Sequence, residues 1–255
     1  MSGTFEGTSA LVTGGGSGIG QAAALALAAG GCTVTVAGHI QELLDDTATK
    51  VEAAGGSGQT ALCDVTDEDA VRSAVRVATQ PTGRLDFAVN SAGIDGGNVA
   101  LGTIDYPNET FDDMIAVNVR GMFLSMKHEL AQMVEQGAGS IVNIASGAGL
   151  LGVPGYAGYS ASKHAEIGLT KTAALDYAAR GVRINAICPA LVNTPLIAQM
   201  AAENPDMRAA LVGAHPIGRI AEPEEIADAI VWLCSNKSSF VTGIALPVDG
   251  GYSAQ

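Results

Sequence analysis

Seven short apolar runs are spread along the chain, with longer helical stretches between them. The runs are SALVTG (9–14), TVTVAG (33–38), TALCDV (60–65), LDFAVN (85–90), SIVNIAS (140–146), RINAICP (183–189) and IALPVDG (244–250). They are apolar throughout rather than alternating. A strand wetted on one face alternates, and a strand covered on both faces does not. The intervening stretches carry helix punctuation. Residues 18–30 are rich in Ala and Leu and stop at Gly30. Residues 67–80 open on Asp67 with acids in the first turn, and 158–180 stop at Gly181. Residues 222–235 open EPEE, with Pro223 suited to a first turn. Strand–helix alternation along the whole chain predicts an α/β fold: one doubly wound, parallel, seven-stranded sheet. No linker or internal repeat divides residues 1–255, so a single domain is expected. Hydrophobic residues make up 47% of the chain, enough for a large core.

Charge and cysteine usage narrow the function classes. The formal net charge is −13, which disfavours nucleic acid through phosphate repulsion. The start, MSGTFEGTSA, lacks the basic and apolar regions of a secretory signal. The apolar run AAALALAA is far too short to span a bilayer. No membrane partner and a cytoplasmic location are therefore expected. Cys32, Cys63, Cys188 and Cys234 are scattered, with no CxxC pair and no histidine at ligand spacing. Buried free thiols are expected, and no metal.

In an open parallel sheet, ligands bind beyond the carboxyl ends of the strands. The first strand runs into TGGGSGIG, Thr13 to Gly20. Glycines there let the backbone press against a pyrophosphate, while the helix start offers N–H donors and a favourable dipole. The spacing is Gly14-x3-Gly18-x-Gly20. A GxGxxA reading through Gly18, Gly20 and Ala23 begins too far from the strand. CDV and NSAG stand at two further strand ends, on the same edge. Asp64 in CDV is placed to accept from an adenine amino group.

YSASK, residues 159–163, puts Tyr159 and Lys163 four apart on one helix face. An ammonium there favours the phenolate, which brings the phenol toward a useful general acid or base. Ser146, at the end of the fifth run, is positioned to hold the same substrate oxygen. Asn118 interrupts an apolar helical pattern in VNVRG. A bound water or a local break in the helix would account for it. Each feature is weak alone. The ordered set, each member after its strand, is not.

The set resembles the short-chain dehydrogenase/reductase family, in its short single-domain, Rossmann-like subgroup. The matching pieces are TGGGSGIG, CDV, NSAG, NVRG, the serine of IASGAG, YSASK, NAICPALVNTP and VDGG, from residue 13 to 251. The resemblance implies hydride transfer between a nicotinamide cofactor and a ketone or secondary alcohol. It implies Asn118, Ser146, Tyr159 and Lys163 as catalytic residues. Gly14, Ser17, Gly18, Ile19 and Gly20 would form the pyrophosphate turn. Asp64 and Val65 would flank adenine, and Asn90, Ala92 and Gly93 would line the adenosine side. Pro189, Val192 and Thr194 would grip the carboxamide, while Tyr159 and Lys163 would touch the nicotinamide ribose. Ser91 and Ala190 depart from common family choices, Asn and Gly respectively.

The second run ends at Gly38 and His39 rather than at an acid. Nothing there repels a 2′-phosphate, and a histidine can donate to one. NADP(H) is favoured over NAD(H), with both open. Segment 190–216 resembles a substrate lid, with Leu196, Ile197 and Met200 on its exposed face. With Gly147, Leu150, Leu151 and Tyr156 it suggests a mainly apolar small-molecule substrate. His215 and Arg219 read as structural. The family implies a homotetramer, through helices near 110–135 and 158–180 and the C-terminal strand. Two alternatives remain: a reductase of a carrier-bound 3-oxoacyl thioester, and a nucleotide-binding regulator without turnover.

Overall fold

A computed structural model describes residues 5–97, 100–195, 197, 209 and 212–254. Its strands are β1 (Ser9–Thr13), β2 (Thr33–Gly38), β3 (Ser57–Leu62), β4 (Phe87–Asn90), β5 (Gly139–Ile144), β6 (Val182–Pro189) and β7 (Ala245–Val248). They form one sheet, all parallel, in the order β3-β2-β1-β4-β5-β6-β7. The helices are α1 (Gly18–Ala29), α2 (Gln41–Ala53), α3 (Glu68–Thr79), α4 (Asn108–Met114), α5 (Met122–Gln136), α6 (Ala157–Tyr177) and α7 (Pro223–Cys234).

Both faces of the sheet are covered, as the unbroken apolar runs require. Along β1, Ala10 and Val12 join Leu27 of α1 and Ile230 of α7 in one buried cluster. Leu11, between them, joins Val71 of α3 and Met126 of α5 on the other face. Each fully buried Leu or Ile contributes about 1.5–3 kcal/mol of apolar burial. The chain leaves β1 toward β2 and leaves β4 toward β5, on opposite sides, so a crevice opens at the carboxyl ends of β1 and β4.

Local sequence sets the helix ends. Asp67 accepts from the N–H groups of Asp69 (2.9 Å) and Ala70 (3.4 Å), which caps α3. Glu222 and Glu225 form a capping box at α7, with Pro223 in its first turn. Gly181, at φ +82°, turns the chain out of the α6 region into β6, as expected. The third strand differs from expectation. It spans 57–62 rather than 60–65, because Gly38 at the end of β2 already pairs with Leu62. Cys63, Asp64 and Val65 therefore lie past the strand, on the ligand edge. The four cysteines are free and buried, and burial pushes their thiols up.

A line of polar side chains crosses the middle of the core. Thr13 donates to Asn90 (3.4 Å), and Asn90 donates to Glu129 (3.0 Å) and Asn143 (3.0 Å). Asn143 donates to Thr170 (2.9 Å), and Thr170 to the Glu166 carbonyl (2.8 Å). Glu129 is fully buried, and its Oε1 has no hydrogen-bond partner among the described residues. Burial pushes its carboxyl up to about 7, against the pull of the Asn90 amide. The unfolded chain releases that proton at an ordinary carboxylate value, so rising pH favours unfolding across the window between about 4.5 and 7. Glu129→Gln should flatten this dependence. Denaturant titrations at pH 5 and pH 8 should show the wild type losing up to about 3 kcal/mol more than the variant.

Candidate active site

The turn after β1 is built for close backbone approach. Gly14 has φ +65°, and a Cβ there would stand 2.7 Å from the Ala92 nitrogen and the Ser91 carbonyl carbon. Gly18, at φ +55°, opens α1, and a Cβ on Gly20 would overlap the Gly14 carbonyl. Ser17 is extended and its side chain makes no cap bond, and no acid lies in the first turn. The first N–H groups of α1 thus face the ligand edge without a protein anion. A diphosphate fits this cradle. Ile19, partly buried, packs against the core beneath it.

Further groups stand along the same edge. Gly38 closes β2 and His39 beside it is exposed. Asp64 accepts through one oxygen from the Thr66 N–H (2.9 Å) and hydroxyl (2.8 Å). These bonds hold its carboxyl below the usual range, with burial opposing and His39 nearby assisting. Val65 is buried where a Cβ on Gly121 would lie 2.6 Å from its Cγ2. The Asn90 side chain does not reach the edge. It turns inward to Glu129 and Asn143, so only its backbone is free to meet a nucleotide. Ala92 and Gly93 continue past the turn. A Cβ on Gly93 would sit 3.2 Å from Asn118 Oδ1 and 3.7 Å from Lys163 Nζ.

Asn118 lies in a π-helical stretch, Ile115–Gly121, between α4 and α5. This is the local break that its place in an apolar pattern suggested. Its side chain is bound to protein on both sides. Its oxygen accepts from the Ile94 N–H (2.8 Å), and its amide donates to the Ile94 carbonyl (2.9 Å) and Ser162 Oγ (3.0 Å). Both amide protons and the oxygen are thereby used on protein. Asn118 clamps the loop after β4 to α6.

Ser146 follows β5 and caps a short 3₁₀ turn, Gly147–Gly149. Its Oγ accepts from the Ala148 N–H (3.1 Å), which leaves the hydroxyl proton to donate. Tyr159 sits in the first turn of α6 and Lys163 one turn on. Lys163 Nζ lies 5.6 Å from the centre of the Tyr159 ring. The ammonium is buried and donates to the Ile144 carbonyl at 3.2 Å. It also donates to both oxygens of Glu166, at 2.8 and 3.0 Å. Burial pulls the Lys163 pKa down, but the charge of Glu166, with Tyr159 and Cys188, leaves it net raised. Lys163 therefore stays charged.

Pro189 ends β6 on the far side of the crevice. Val192 bridges to Ala221, and the Thr194 N–H donates to the Val192 carbonyl (2.7 Å). A Cβ on Gly18 would be 3.1 Å from Thr194 Cγ2, so this segment folds over the glycine turn. His215 is buried and its Nε2 accepts from the Leu191 N–H (3.3 Å), while Arg219 pairs with Glu225 (2.6 Å). Both are structural. Of the expected lid face, Leu196 and Met200 lie outside the described residues, and Ile197 is partly buried.

Glu166 was not expected at the site, although it stands three residues after Lys163 in the sequence. Spacing toward Tyr159 alone hides it. Tyr252 also lies beside the site, since a Cβ on Gly147 would be 3.3 Å from its ring. Among the described residues no group of three His, Cys, Asp or Glu is placed to hold a metal ion. None of their helices is long and apolar enough to cross a membrane.

A family profile described as enoyl-(acyl carrier protein) reductase matches residues 14–253. The 2,5-dichloro-2,5-cyclohexadiene-1,4-diol dehydrogenase of Sphingobium indicum (strain UT26) is 42% identical over 252 residues, 98% of each chain. The chain belongs to the short-chain dehydrogenase/reductase family. Cyclohexanol dehydrogenase of Acinetobacter sp. (strain SE19) is 39% identical, over 100% of this chain and 98% of that one. The fold matches NAD+-bound xylitol dehydrogenase at TM-score 0.92 and 35% identity, over 97% and 99% of the two chains. It matches an actinorhodin polyketide ketoreductase variant with NADPH at 0.91 and 34%, over 97% and 98%. As a short-chain dehydrogenase/reductase, this chain is an oxidoreductase that uses a nicotinamide cofactor on a secondary alcohol or ketone.

Gly14→Ala should strain a positive φ and push the chain against the Ser91–Ala92 backbone. Titration of nucleotide binding by fluorescence should show affinity reduced at least about tenfold, together with a lower Tm.

Proposed function

We propose that Tyr159 is the general acid and base of a dehydrogenase acting on mainly apolar, ring-borne secondary alcohols and the matching ketones. The observation that carries this is the buried Lys163 ammonium 5.6 Å from the Tyr159 ring. A cation this close is placed to stabilise negative charge that develops on the phenol as its proton moves. Ser146 Oγ, with its proton free to donate, holds the substrate oxygen and stabilises charge as it develops there. In reduction Tyr159 gives its proton to that oxygen, and in oxidation it takes the alcohol proton. Bound nicotinamide would supply or accept the hydride at the adjacent carbon. Asn118 keeps the β4 loop and α6 in register, so that Ile94 and Tyr159 face one space.

The substrate class is supported by apolar side chains near the site. Ile94 and Leu101, in the loop after β4, are partly exposed, and Leu150 and Leu151 follow Ser146. The two relatives named for six-membered cyclic alcohols point the same way. We assign nucleotide contacts to Gly14, Ser17, Gly18, Ile19 and Gly20 at the diphosphate, and to Asp64, Val65 and the backbone of Asn90, Ala92 and Gly93 on the adenosine side. Pro189, Val192 and Thr194 flank the nicotinamide, and Gly38 and His39 the adenosine 2′ position. Since β2 ends without an acid, NADP(H) is accepted, with His39 as donor to its phosphate. Exposed Phe123 on α5, Leu175 on α6 and Phe240 before β7 support a homotetramer through those elements. Four free, buried cysteines suit a reducing cytoplasm.

Turnover of a cyclohexanol and cyclohexanone series should be followed by nucleotide absorbance. Tyr159→Phe should lose at least about a hundredfold in kcat while nucleotide affinity is kept. Unchanged turnover would defeat the assignment. His39→Ala should weaken NADP+ binding several-fold and leave NAD+ binding unchanged, as read by Kd for each nucleotide.

A further inference from the structure

Lys163 has a partner that its role beside Tyr159 does not need. Glu166 lies three residues further along α6, with no exposure to solvent. Both of its oxygens accept from Lys163 Nζ, at 2.8 and 3.0 Å, and the Ile144 carbonyl accepts the third bond at 3.2 Å. Both carboxylate oxygens lie on one side of the ammonium, so they and the carbonyl hold it toward Glu166 and leave it a proton for a bound ribose. Lys163 is thus tied down on the side of α6 toward Glu166, with its Nζ over the Tyr159 ring.

Few other charges reach this group. On α6 they are Lys163 and, through it, Tyr159. From β6 comes the Cys188 thiol, which Glu166 and Asp249 (past β7) both push up. From β5 comes the Ile144 carbonyl, and from the π-helical stretch the neutral amide of Asn118. The local balance is therefore simple. With Glu166 ionised, phenol, ammonium and carboxylate sum to zero, and removing the phenol proton leaves a net negative charge in a buried place. Without that carboxylate, the phenol and ammonium sum to plus one, and losing a proton gives a neutral pair. The second loss is easier, whichever of the two groups gives up the proton.

We propose that Glu166 is a positioning residue for the hydride-transfer reaction. It fixes the Lys163 ammonium as a bidentate counter-ion and raises the pH at which the Tyr159–Lys163 pair becomes a proton acceptor. In effect it keeps Tyr159 in its proton-donating form to higher pH, which suits carbonyl reduction. The inference rests on Tyr159 being the acid and base. Burial pushes the Glu166 carboxyl up to about 7, with Lys163 opposing, so the effect operates above neutral pH, where alcohol oxidation needs the deprotonated pair.

The test compares wild type, Glu166→Gln and Glu166→Asp. The first reading is the basic limb of the pH–rate profile for alcohol oxidation. The second is phenolate absorbance in the cofactor-free protein, with the Tyr159→Phe spectrum subtracted. Glu166→Gln should move both midpoints down by about one unit or more. Well below the wild-type midpoint, oxidation should then be about tenfold faster relative to each enzyme's own plateau. Glu166→Asp, which keeps the charge, should stay close to wild type. A midpoint in Glu166→Gln that is unmoved or higher overturns the proposal. If Glu166→Gln does not fold, carboxyl carbon NMR of the wild type decides. The Glu166 resonance should respond to the Tyr159 titration and lose that response in Tyr159→Phe; a resonance with no such response overturns the proposal. Turnover retained in Tyr159→Phe would sink the general acid–base reading instead. Turnover lost in Tyr159→Phe, with Glu166→Gln unshifted, would sink the role of Glu166 alone.

Discussion

A parallel sheet covered on both faces has one place left for chemistry, the edge where strands end. Everything else in the chain is arranged around that restriction. The order β3-β2-β1-β4-β5-β6-β7 reverses direction between β1 and β4. Loops from the two halves therefore part there, and a crevice forms without any residue being removed from the core. Gly14 after β1, Gly93 after β4, Ser146 after β5 and Pro189 at the end of β6 come to one edge through this topology alone. They are far apart in the sequence and share no local signal beyond following a strand.

The energetics of the reacting group follow from burial. An ammonium taken out of water is costly unless it is paired and hydrogen-bonded. Lys163 meets that requirement with Glu166 and the Ile144 carbonyl, both supplied by rigid elements. The phenol of Tyr159 sits in the first turn of α6, nearer the crevice. Two turns of helix thus carry a graded series, from the crevice to a fully buried carboxylate. Asn118 performs the matching task for the backbone. The π-helical turn sets its amide against both polar groups of Ile94 and against Ser162. A regular helix would bring a different face to that loop.

The sheet, its strand count and most helix ends were legible because unbroken apolar runs, Asp67, Gly181 and Pro223 act locally. The third strand was displaced by three residues because Cys63 and Val65 continue the apolar run past its true end. Only pairing with β2 fixes where it stops. Tyr159 and Lys163 were legible from spacing, and the ammonium stands near the ring as one-turn spacing implied. The use of Asn90 and Asn118 was not. Each is a small amide whose partners, Glu129 and Asn143 in one case and Ile94 and Ser162 in the other, come from elsewhere in the chain. Glu166 escaped notice for a different reason. An acid three residues after a lysine on a helix is ordinarily a solvated pair, and only its burial makes it otherwise.

The polar line from Thr13 through Asn90 and Asn143 to Thr170 has a mechanical consequence. It stitches three central strands to α6 by side chains that no water reaches. The middle of α6, about three turns beyond Tyr159, therefore belongs to the most protected cooperative unit of the molecule. Heat should part that seam only when the sheet itself melts.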